Sequence, residues 1–423
     1  MWNLIKNELL KLSRNGKVYI VVGFMVLVVT IQCYTQYMEI TAKSPERVIE
    51  ECQRLIETMK NTTVVKVVKG DDTNSDTENG DDSDDSDDSD DSDAKIYIEN
   101  AIESAKKEIE RARKKLENMN REWKVNVKEE IASLEELKEE LIAEGNLERL
   151  ESTNTKINML NYYLEHNLKP DEEHVMKNTV IVDIMTYVGS VFLAIIVVML
   201  TVETLAAENS SGTIKLLITK PVSRGNIYIS KYLTSLIASL GIVITIEVVA
   251  YLIIGIIFGF GNLQAPVAIG PRYVPDPVQI ARYGMGVKPV LESTILIPLW
   301  QKLIIVLVLQ ILFIITVVSF GIFVSAFMKN GISAIIFGLL ITAILTVMTV
   351  QVKGFGSIKV LSFIMLFLFS TYSAGELILT GYLSRALNST LINIPFATLV
   401  LIAWAGLFFM LGYRFFTRKD VLG

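Results

Sequence analysis

Six long apolar runs constrain the fold of this chain more than any other feature of its sequence. A helix needs about 20 apolar residues to cross the hydrocarbon core of a bilayer. Four of the runs hold no charged residue, and the other two hold one acid each, Asp183 and Glu247. The sequence therefore predicts an all-α membrane protein with six transmembrane helices, at residues 18–38, 180–202, 232–260, 303–328, 331–352 and 387–413.

The net charge of −6 combines two regions of opposite sign. Residues 41–179 carry 21 basic and 36 acidic residues, a net −15, which leaves +9 on the membrane-spanning remainder. A cytoplasmic amino terminus puts the basic residues of both termini and of the connection at 203–231 on the cytoplasmic side, as the positive-inside rule requires. The sequence therefore predicts that both termini are cytoplasmic and that residues 41–179 lie outside the cell.

A seventh apolar run, at residues 360–375, is short for a span, and Glu376 and Gly381 interrupt the sequence after it. Counting it as a span would place the basic carboxyl terminus outside, against the charge rule. We therefore predict that residues 354–386 form one or two re-entrant or interfacial helices on the outer face. Such helices are tolerated at membrane depth only where they pack against protein.

The first 14 residues have the pattern of an amphipathic helix. Trp2, Ile5, Leu9 and Leu12 fall on one face at helical spacing, and the basic residues lie off that face. A helix of this kind lies in the membrane interface. The sequence predicts such a helix before the first span, within a first domain at residues 1–40. An ordinary helical approach to the span is the alternative.

Residues 41–179 are predicted to form a separate external domain. Apolar residues from Ile102 to Trp123 alternate three and four apart, and a second periodic run follows a turn at Gly145. These patterns predict an antiparallel helical hairpin of coiled-coil type, and they leave open whether its seam is filled within the chain or by a second protomer. Residues 71–93 hold 13 acids and no base, which predicts a disordered linker. Calcium binding is the alternative for this tract.

The third predicted domain, residues 180–423, carries the other five spans. Catalytic motifs are missing from the whole sequence, which has no G-x-x-x-x-G-K-[ST] phosphate loop, no H-E-x-x-H motif and only two histidines. The sequence therefore predicts a protein that is not an enzyme and binds no metal or cofactor of its own. Any energy for work across the membrane then comes from a partner.

A polar, basic connector joins the second and third predicted helices at residues 203–231. It resembles the loop at this place in ABC-2 type transporter permeases, in the residues Glu203, Glu208, Gly212, Thr213, Leu216, Leu217, Pro221, Arg224 and Lys231. The resemblance implies that these residues couple the chain to a separate ATPase subunit, which binds ATP and Mg²⁺. It also implies that the amphipathic helix is an elbow helix and that a re-entrant element precedes the last span. An ordinary basic loop that satisfies the charge rule is the alternative.

Glu247 lies near the centre of the third predicted span. An ionisable group at that depth is costly unless it faces protein or water and finds a partner. Gln310, in the fourth span, is the nearest comparable polar candidate. Two interpretations stay open for these residues: a hydrogen bond that fixes helix packing, and a polar contact on a translocation pathway.

Two classes of function fit these features. The first is the permease subunit of an ABC-2 type exporter in the plasma membrane of a bacterium, with the pathway formed by a homo- or heterodimer of permease subunits. The second is a transducer that transports nothing, in which an ATPase drives the external hairpin to act on a cell-surface partner. Neither function involves nucleic acid, and the sequence leaves the substrate open.

Overall fold

The computed structural model describes residues 2–42, 45–71, 87–119, 123–170, 172–210, 223–258 and 260–418. Most of these residues are helical, and the strands are short. Six helical segments are long and apolar enough to cross a membrane, which confirms the predicted number: Gly16–Met38, Val180–Glu208, Arg224–Ile257, Leu299–Phe327, Gly331–Val350 and Ile394–Arg418.

The first half of the described chain holds nine α-helices and one π-helical stretch. They are α1 Trp2–Ser13, α2 Gly16–Ala42, α3 Pro45–Asp71, α4 Asp87–Met119, α5 Trp123–Glu144, α6 Leu147–Glu165, α7 Glu172–Tyr187, the π-helix Val188–Leu193, α8 Ala194–Thr201 and α9 Ala206–Ser210.

The second half holds longer spans separated by short elements. They are α10 Arg224–Phe258, β1 Pro266–Ile269, β2 Tyr273–Pro275, α11 Pro277–Tyr283, β3 Val287–Pro289, β4 Ile295–Pro298, α12 Leu299–Phe327, α13 Gly331–Val350, α14 Val352–Gly356, α15 Lys359–Phe367, the 3-10 helix Phe369–Tyr372, α16 Gly375–Leu379, α17 Tyr382–Ala386 and α18 Ile394–Arg418.

The predicted spans are correct in number and differ at their ends. The third was predicted from residue 232, but α10 begins at Arg224 because its first turns are buried against other elements, with Tyr228 fully buried. The last was predicted from residue 387, but α18 begins at Ile394. There the side chain of Asn393 accepts a hydrogen bond from the N–H of Phe396 at 2.9 Å, which caps the helix.

The second span changes helix type in its middle. The π-helix Val188–Leu193 separates α7 from α8. Gly189 lies in this stretch, and a Cβ atom there would be only 2.9 Å from the backbone oxygen of Ser373. Single π turns inside α-helices are often found at functional sites. Here the turn lets the span pass close to the residues that follow the 3-10 helix.

The predicted amino-terminal helix is present as α1, which packs against α10. Ile5 is buried, and Leu9 and Leu12 are half-buried, as predicted for the apolar face, while Trp2 is exposed. The chain then turns and enters the first span at Gly16.

Residues Tyr34–Glu129 form a compact unit of their own. Within it α3 packs along α4, and Ala105 and Ala112 of the predicted seam are buried. Part of the α4 seam is therefore covered within the chain, by a helix whose pairing the sequence did not indicate. Of the predicted disordered tract, residues 72–86 lie outside the described residues, and residues 87–93 are the first turns of α4.

The turn predicted at Gly145 lies between α5 and α6. Gly145 has a φ of 71°, and the side chain of Asn146 accepts a hydrogen bond from the N–H of Arg149. Further from the turn, the ammonium of Lys156 in α6 lies 2.5 Å from a carboxylate oxygen of Glu130 in α5.

A small β ribbon between α10 and α12 corrects the all-α prediction. β1 pairs antiparallel with β4, and β2 pairs antiparallel with β3. The helix α11 lies at the far end of the ribbon, capped by Asp276 at its start and by Gly284 at its end. The strands have three or four residues and contain prolines, so their sequence has no clear period-two pattern.

The segment at residues 352–386 forms four short helices and one 3-10 helix, where one or two helices were predicted. The ring of Phe369 lies 6.4 Å from that of Phe313 at the middle of α12. Glu376 contacts Lys302 near the start of α12. Since a helix rises 1.5 Å per residue, these two levels are about 16 Å apart along α12.

Candidate functional site

The connector begins where the second span ends. α8 stops at Thr201, and α9 starts at Ala206. Between them the hydroxyl of Ser325, near the end of α12, accepts hydrogen bonds from the backbone N–H groups of Leu205, at 2.8 Å, and Ala206, at 3.0 Å. Donors at the start of a helix have no partner within the helix. Ser325 therefore satisfies two of them and fixes the connector to α12.

Glu208 in α9 forms a buried ion pair with Lys231 in α10. The Lys231 Nζ atom lies 2.7 Å from Glu208 Oε1 and 2.9 Å from Glu8 Oε2. The Lys11 Nζ atom lies 2.8 Å from Glu208 Oε1. We refer to Glu8, Lys11, Glu208 and Lys231 as the ionic cluster. It joins α1, α9 and α10, which are far apart in the sequence.

The ionic cluster is balanced in charge, with two acids and two bases. Lys231 is only 1% exposed and Glu208 4%, and ions at that degree of burial are stable only when paired. Lys11 lies at the exposed edge. Partial burial by itself would lower the pKa of Lys11, but its hydrogen bond to Glu208 and the charges of Glu208 and Glu8 raise it above its usual value. Lys11 therefore stays cationic at neutral pH.

A second contact joins the connector to the start of the first span. The ammonium of Lys17, in the first turn of α2, contacts a carboxylate oxygen of Glu203. Both side chains are more exposed than the Glu208–Lys231 pair. The connector is thus tied to the amino-terminal region at two points, one buried and one open to solvent.

The structure describes four of the nine connector residues named from the sequence: Glu203, Glu208, Arg224 and Lys231. It brings Glu208 and Lys231 into direct contact, and it places Arg224 at the first position of α10. The other five lie outside the described residues: Gly212, Thr213, Leu216, Leu217 and Pro221.

Sequence reasoning missed Glu8, Lys11 and Ser325 as parts of this site. One signal was present, because Glu8 is the only acid among the first 38 residues and lies in a stretch of basic residues. The basic residues there were interpreted only as topology signals. Ser325 gives no signal of its own, since a serine near the end of a span is an ordinary residue.

Glu247 and Gln310 are in contact. The Gln310 Nε2 atom donates a hydrogen bond to Glu247 Oε1 at 2.5 Å, and both residues are 5% exposed. The bond joins α10 to α12 inside the subunit. The sequence had named each residue as a polar candidate, and the structure brings the two together.

A second buried ion pair lies at the other end of α12 from Ser325. The Lys302 Nζ atom is 2.7 Å from Glu376 Oε1, which ties α12 to α16. Burial raises the pKa of Glu376 above its usual value, and the charge of Lys302 opposes this shift. A lysine near the end of a span ordinarily reaches the membrane interface, but the side chain of Lys302 is buried.

One more specific polar contact joins α6 to the loop before β4. Glu151 in α6 accepts hydrogen bonds from the N–H of Glu292 and from the hydroxyl of Thr294, both at 2.7 Å. Glu292 has a φ of 59°, a conformation uncommon for a residue with a side chain. The carboxylate of Glu151 thus fixes the loop that leads into β4 and α12.

The contacts described above anchor helices to one another. In the part of the chain that the structure describes, no three His, Cys, Asp or Glu side chains are grouped so that they could hold a metal ion. The ion pairs instead fix the positions of helices against one another.

Comparison with known proteins assigns the chain to a family. No curated protein matches the sequence. The sequence model of the family described as "ABC-2 family transporter protein" matches residues 2–421, nearly the whole chain. Together with the six apolar helices, this match shows that the chain belongs to the ABC-2 transporter family and is a multi-pass membrane permease.

Proposed function

We propose that the chain is the permease subunit of an ABC-2 type exporter in the plasma membrane of a bacterium. In this proposal it pairs with a second permease subunit, identical or related, and the translocation pathway runs between the two. A separate ATPase subunit binds ATP and Mg²⁺ and supplies the energy through the connector. The observation that carries the coupling proposal is the ionic cluster.

The ionic cluster closes the base of the connector. Glu208 and Lys231 lie on either side of the loop that contains Gly212 and Pro221, and their ion pair joins its two ends. A force on a loop anchored in this way is passed to the anchoring helices α1 and α10, and through Ser325 to α12. Because Glu208 and Lys231 are buried in this chain, we propose that they position the connector and that the loop between them contacts the ATPase.

The contacts at the connector also support the proposed topology. Lys11 and Lys17 both reach acids of the connector, so the amino terminus and the connector lie at the same side of the spans. Labelling of single cysteines in intact cells tests this proposal, in a background without Cys33 and Cys52. Cysteines at positions 80 and 120 should react with an impermeant reagent, and those at 215 and 419 should not. External labelling at 419 would refute cytoplasmic termini.

We further propose that α1 is the elbow helix and that residues 354–386 form the re-entrant element. Phe369 contacts the middle of α12, and Glu376 contacts its start. These two contacts support a segment that enters the helix bundle and returns. The external domain is proposed to contain a helical hairpin of α5 and α6, supported by the Gly145 turn and the Lys156–Glu130 ion pair.

Glu247 and Gln310 are proposed to lie on the translocation pathway. Their hydrogen bond closes the interface between α10 and α12 in the structure. A role on the pathway requires that this interface opens during transport, so that the two polar side chains become available to the substrate.

The decisive experiment for coupling needs no knowledge of the substrate. The tagged full-length chain is purified with its ATPase subunit, and the rate of ATP hydrolysis is measured in lipid vesicles. Replacing Gly212 with arginine should change the rate strongly while the amount of assembled chain in the membrane stays the same. Glu208 is less suitable for this purpose, because its loss would also disturb the ionic cluster.

Gly354→Arg is the matched control, since a Cβ atom at Gly354 would meet no atom within 4 Å. It lies in α14, away from the connector in the sequence, and should leave ATP hydrolysis unchanged. Equal rates for wild type, Gly212→Arg and Gly354→Arg would count against the connector as the coupling element. Purification without any ATPase would count against the exporter proposal itself.

A further inference from the structure

A small cavity lies where the π-helix, α12, α13 and the 3-10 helix meet. Six of its lining side chains carry hydroxyl groups: Ser190, Thr342, Thr346, Thr349, Ser370 and Ser373. The cavity leaves about 10 Å³ for the centre of a water molecule, which is close to the space that one water needs. Phe313, the middle residue of α12, also lines it, so the cavity lies deep among the spans.

Three of these hydroxyl groups donate to a backbone carbonyl. Thr342 donates to the carbonyl of Gly338 at 2.7 Å, Thr349 to the carbonyl of Ser370 at 3.1 Å, and Ser190 to a carbonyl in the preceding turn. Within the described ranges, the hydroxyl oxygens of Ser370 and Ser373 have no hydrogen-bond partner. These two residues are 5% and 4% exposed.

Burying a hydroxyl without a hydrogen-bond partner is unfavourable, so two of them in one cavity call for a ligand. The lining residues include no charged side chain, and a cation at this depth would lack a counter-charge. A water molecule is neutral, donates and accepts hydrogen bonds, and fits the space. We propose that this cavity binds one ordered water molecule, held by the hydroxyl groups of Ser370 and Ser373.

The two serines make the most deeply placed turn of the segment at 352–386 polar. Ser370 lies in the 3-10 helix and Ser373 directly follows it, next to Gly189 of the π-helix. The water joins this turn to the hydroxyl-bearing face of α13. Burial and hydrogen bonding alone favour a bound water here, whether or not the chain is an exporter.

Radiolytic footprinting of the full-length protein in lipid tests the proposal. Hydroxyl radicals produced from a bound water oxidise the side chains beside it, and mass spectrometry locates the oxidation. Phe369 lines the cavity and Phe408 does not, although their rings are only 5.8 Å apart and both are buried. We expect Phe369 to be oxidised several-fold faster than Phe408. Equal rates in the wild-type protein would show a dry cavity and overturn the proposal.

The variant with both Ser370→Ala and Ser373→Ala distinguishes a water bound by these serines from water that enters the protein elsewhere. In that variant oxidation of Phe369 should fall to the rate of Phe408. Ser384→Ala is the control, because Ser384 is also a buried serine of this segment but bonds to the carbonyl of Ile392 and does not line the cavity. Unchanged oxidation of Phe369 in the double variant would overturn the assignment to these hydroxyls. If the double variant does not fold, the wild-type comparison of Phe369 with Phe408 still decides.

Discussion

Two buried polar sites of this permease have almost the same exposure and different chemistry. In the ionic cluster, Glu208 meets the full positive charge of Lys231. In the middle of the spans, Glu247 meets only the amide of Gln310. Burial alone would rank the two acids together. The two acids differ in their partners. Removing the counter-charge of a buried charge costs more stability than removing the amide that donates a hydrogen bond to a buried acid.

The two sites also join different parts of the chain. The ionic cluster ties together α1, α9 and α10, with Glu8 and Lys231 separated by 223 positions. The Glu247–Gln310 bond joins two consecutive long spans. We therefore expect the first site to control where the connector lies, and the second to control how closely two spans pack.

The largest expected effect comes from Lys231→Met. The change keeps the volume of the side chain but leaves Glu208 and Glu8 without their buried cation. Breaking a buried pair from one side typically costs about 3–5 kcal/mol. The unfolding midpoint of the purified protein in detergent should fall clearly, and coupling to ATP hydrolysis should fall with it.

Two controls show whether charge is the cause. Lys17→Met removes a lysine that is 54% exposed, and it should leave the midpoint almost unchanged. Adding Glu208→Met to Lys231→Met should recover much of the lost stability, since no unpaired charge then remains between α9 and α10. A double variant that is less stable than Lys231→Met would contradict the charge argument.

The next largest effect is expected for Glu247→Leu. Leucine leaves the buried Nε2 of Gln310 without its acceptor, which costs about 1–3 kcal/mol. Glu247→Gln keeps an acceptor for this donor and should retain most of the stability. Thermal unfolding of the two variants, side by side, gives the comparison. A leucine variant as stable and active as the glutamine variant would remove Glu247 from the proposed pathway.

Ser325→Ala should have a smaller effect on stability, about 1 kcal/mol, as for other serines that cap a helix start. It leaves the N–H groups of Leu205 and Ala206 without the hydroxyl that holds them. Hydrogen exchange at these two amides should become faster, which mass spectrometry can measure. Ser357→Ala, at an exposed serine, should leave exchange at 205 and 206 unchanged. Unchanged exchange in Ser325→Ala would mean that the connector is held by the ionic cluster alone.

Hydrophobicity accounts for the part of the fold that was predicted. Each span needs its own run of apolar residues, so six runs gave six helices, and the amphipathic spacing of Ile5, Leu9 and Leu12 gave α1. The family resemblance pointed to Glu208 and Lys231. Their mutual contact could not be predicted, because the position of a partner 23 residues away across a loop depends on tertiary packing.

The errors have equally physical causes. Lys302 gave no signal of a buried ion pair, because a lysine near the end of a span usually reaches water, whereas here Glu376 comes to it from a separate segment. The β ribbon was missed because strands of three or four residues have no measurable period. The pairing of α3 with α4 was missed because the small residues Ala105 and Ala112 were judged only as parts of a seam, with no indication of which helix would cover them.

The smallest expected effect sharpens the comparison within the ionic cluster itself. Lys11 contacts the same oxygen of Glu208 as Lys231 does, but its side chain is 63% exposed. Water replaces an exposed ammonium at little cost, so Lys11→Met should lower the stability by less than about 1 kcal/mol. Raising the salt concentration should weaken the contribution of Lys11 by no more than this amount, because within the ionic cluster only the exposed pair is screened. Thermal unfolding of Lys11→Met and Lys231→Met at low and high salt measures both effects. If Lys11→Met were as damaging as Lys231→Met, contact distance rather than burial would govern the cluster.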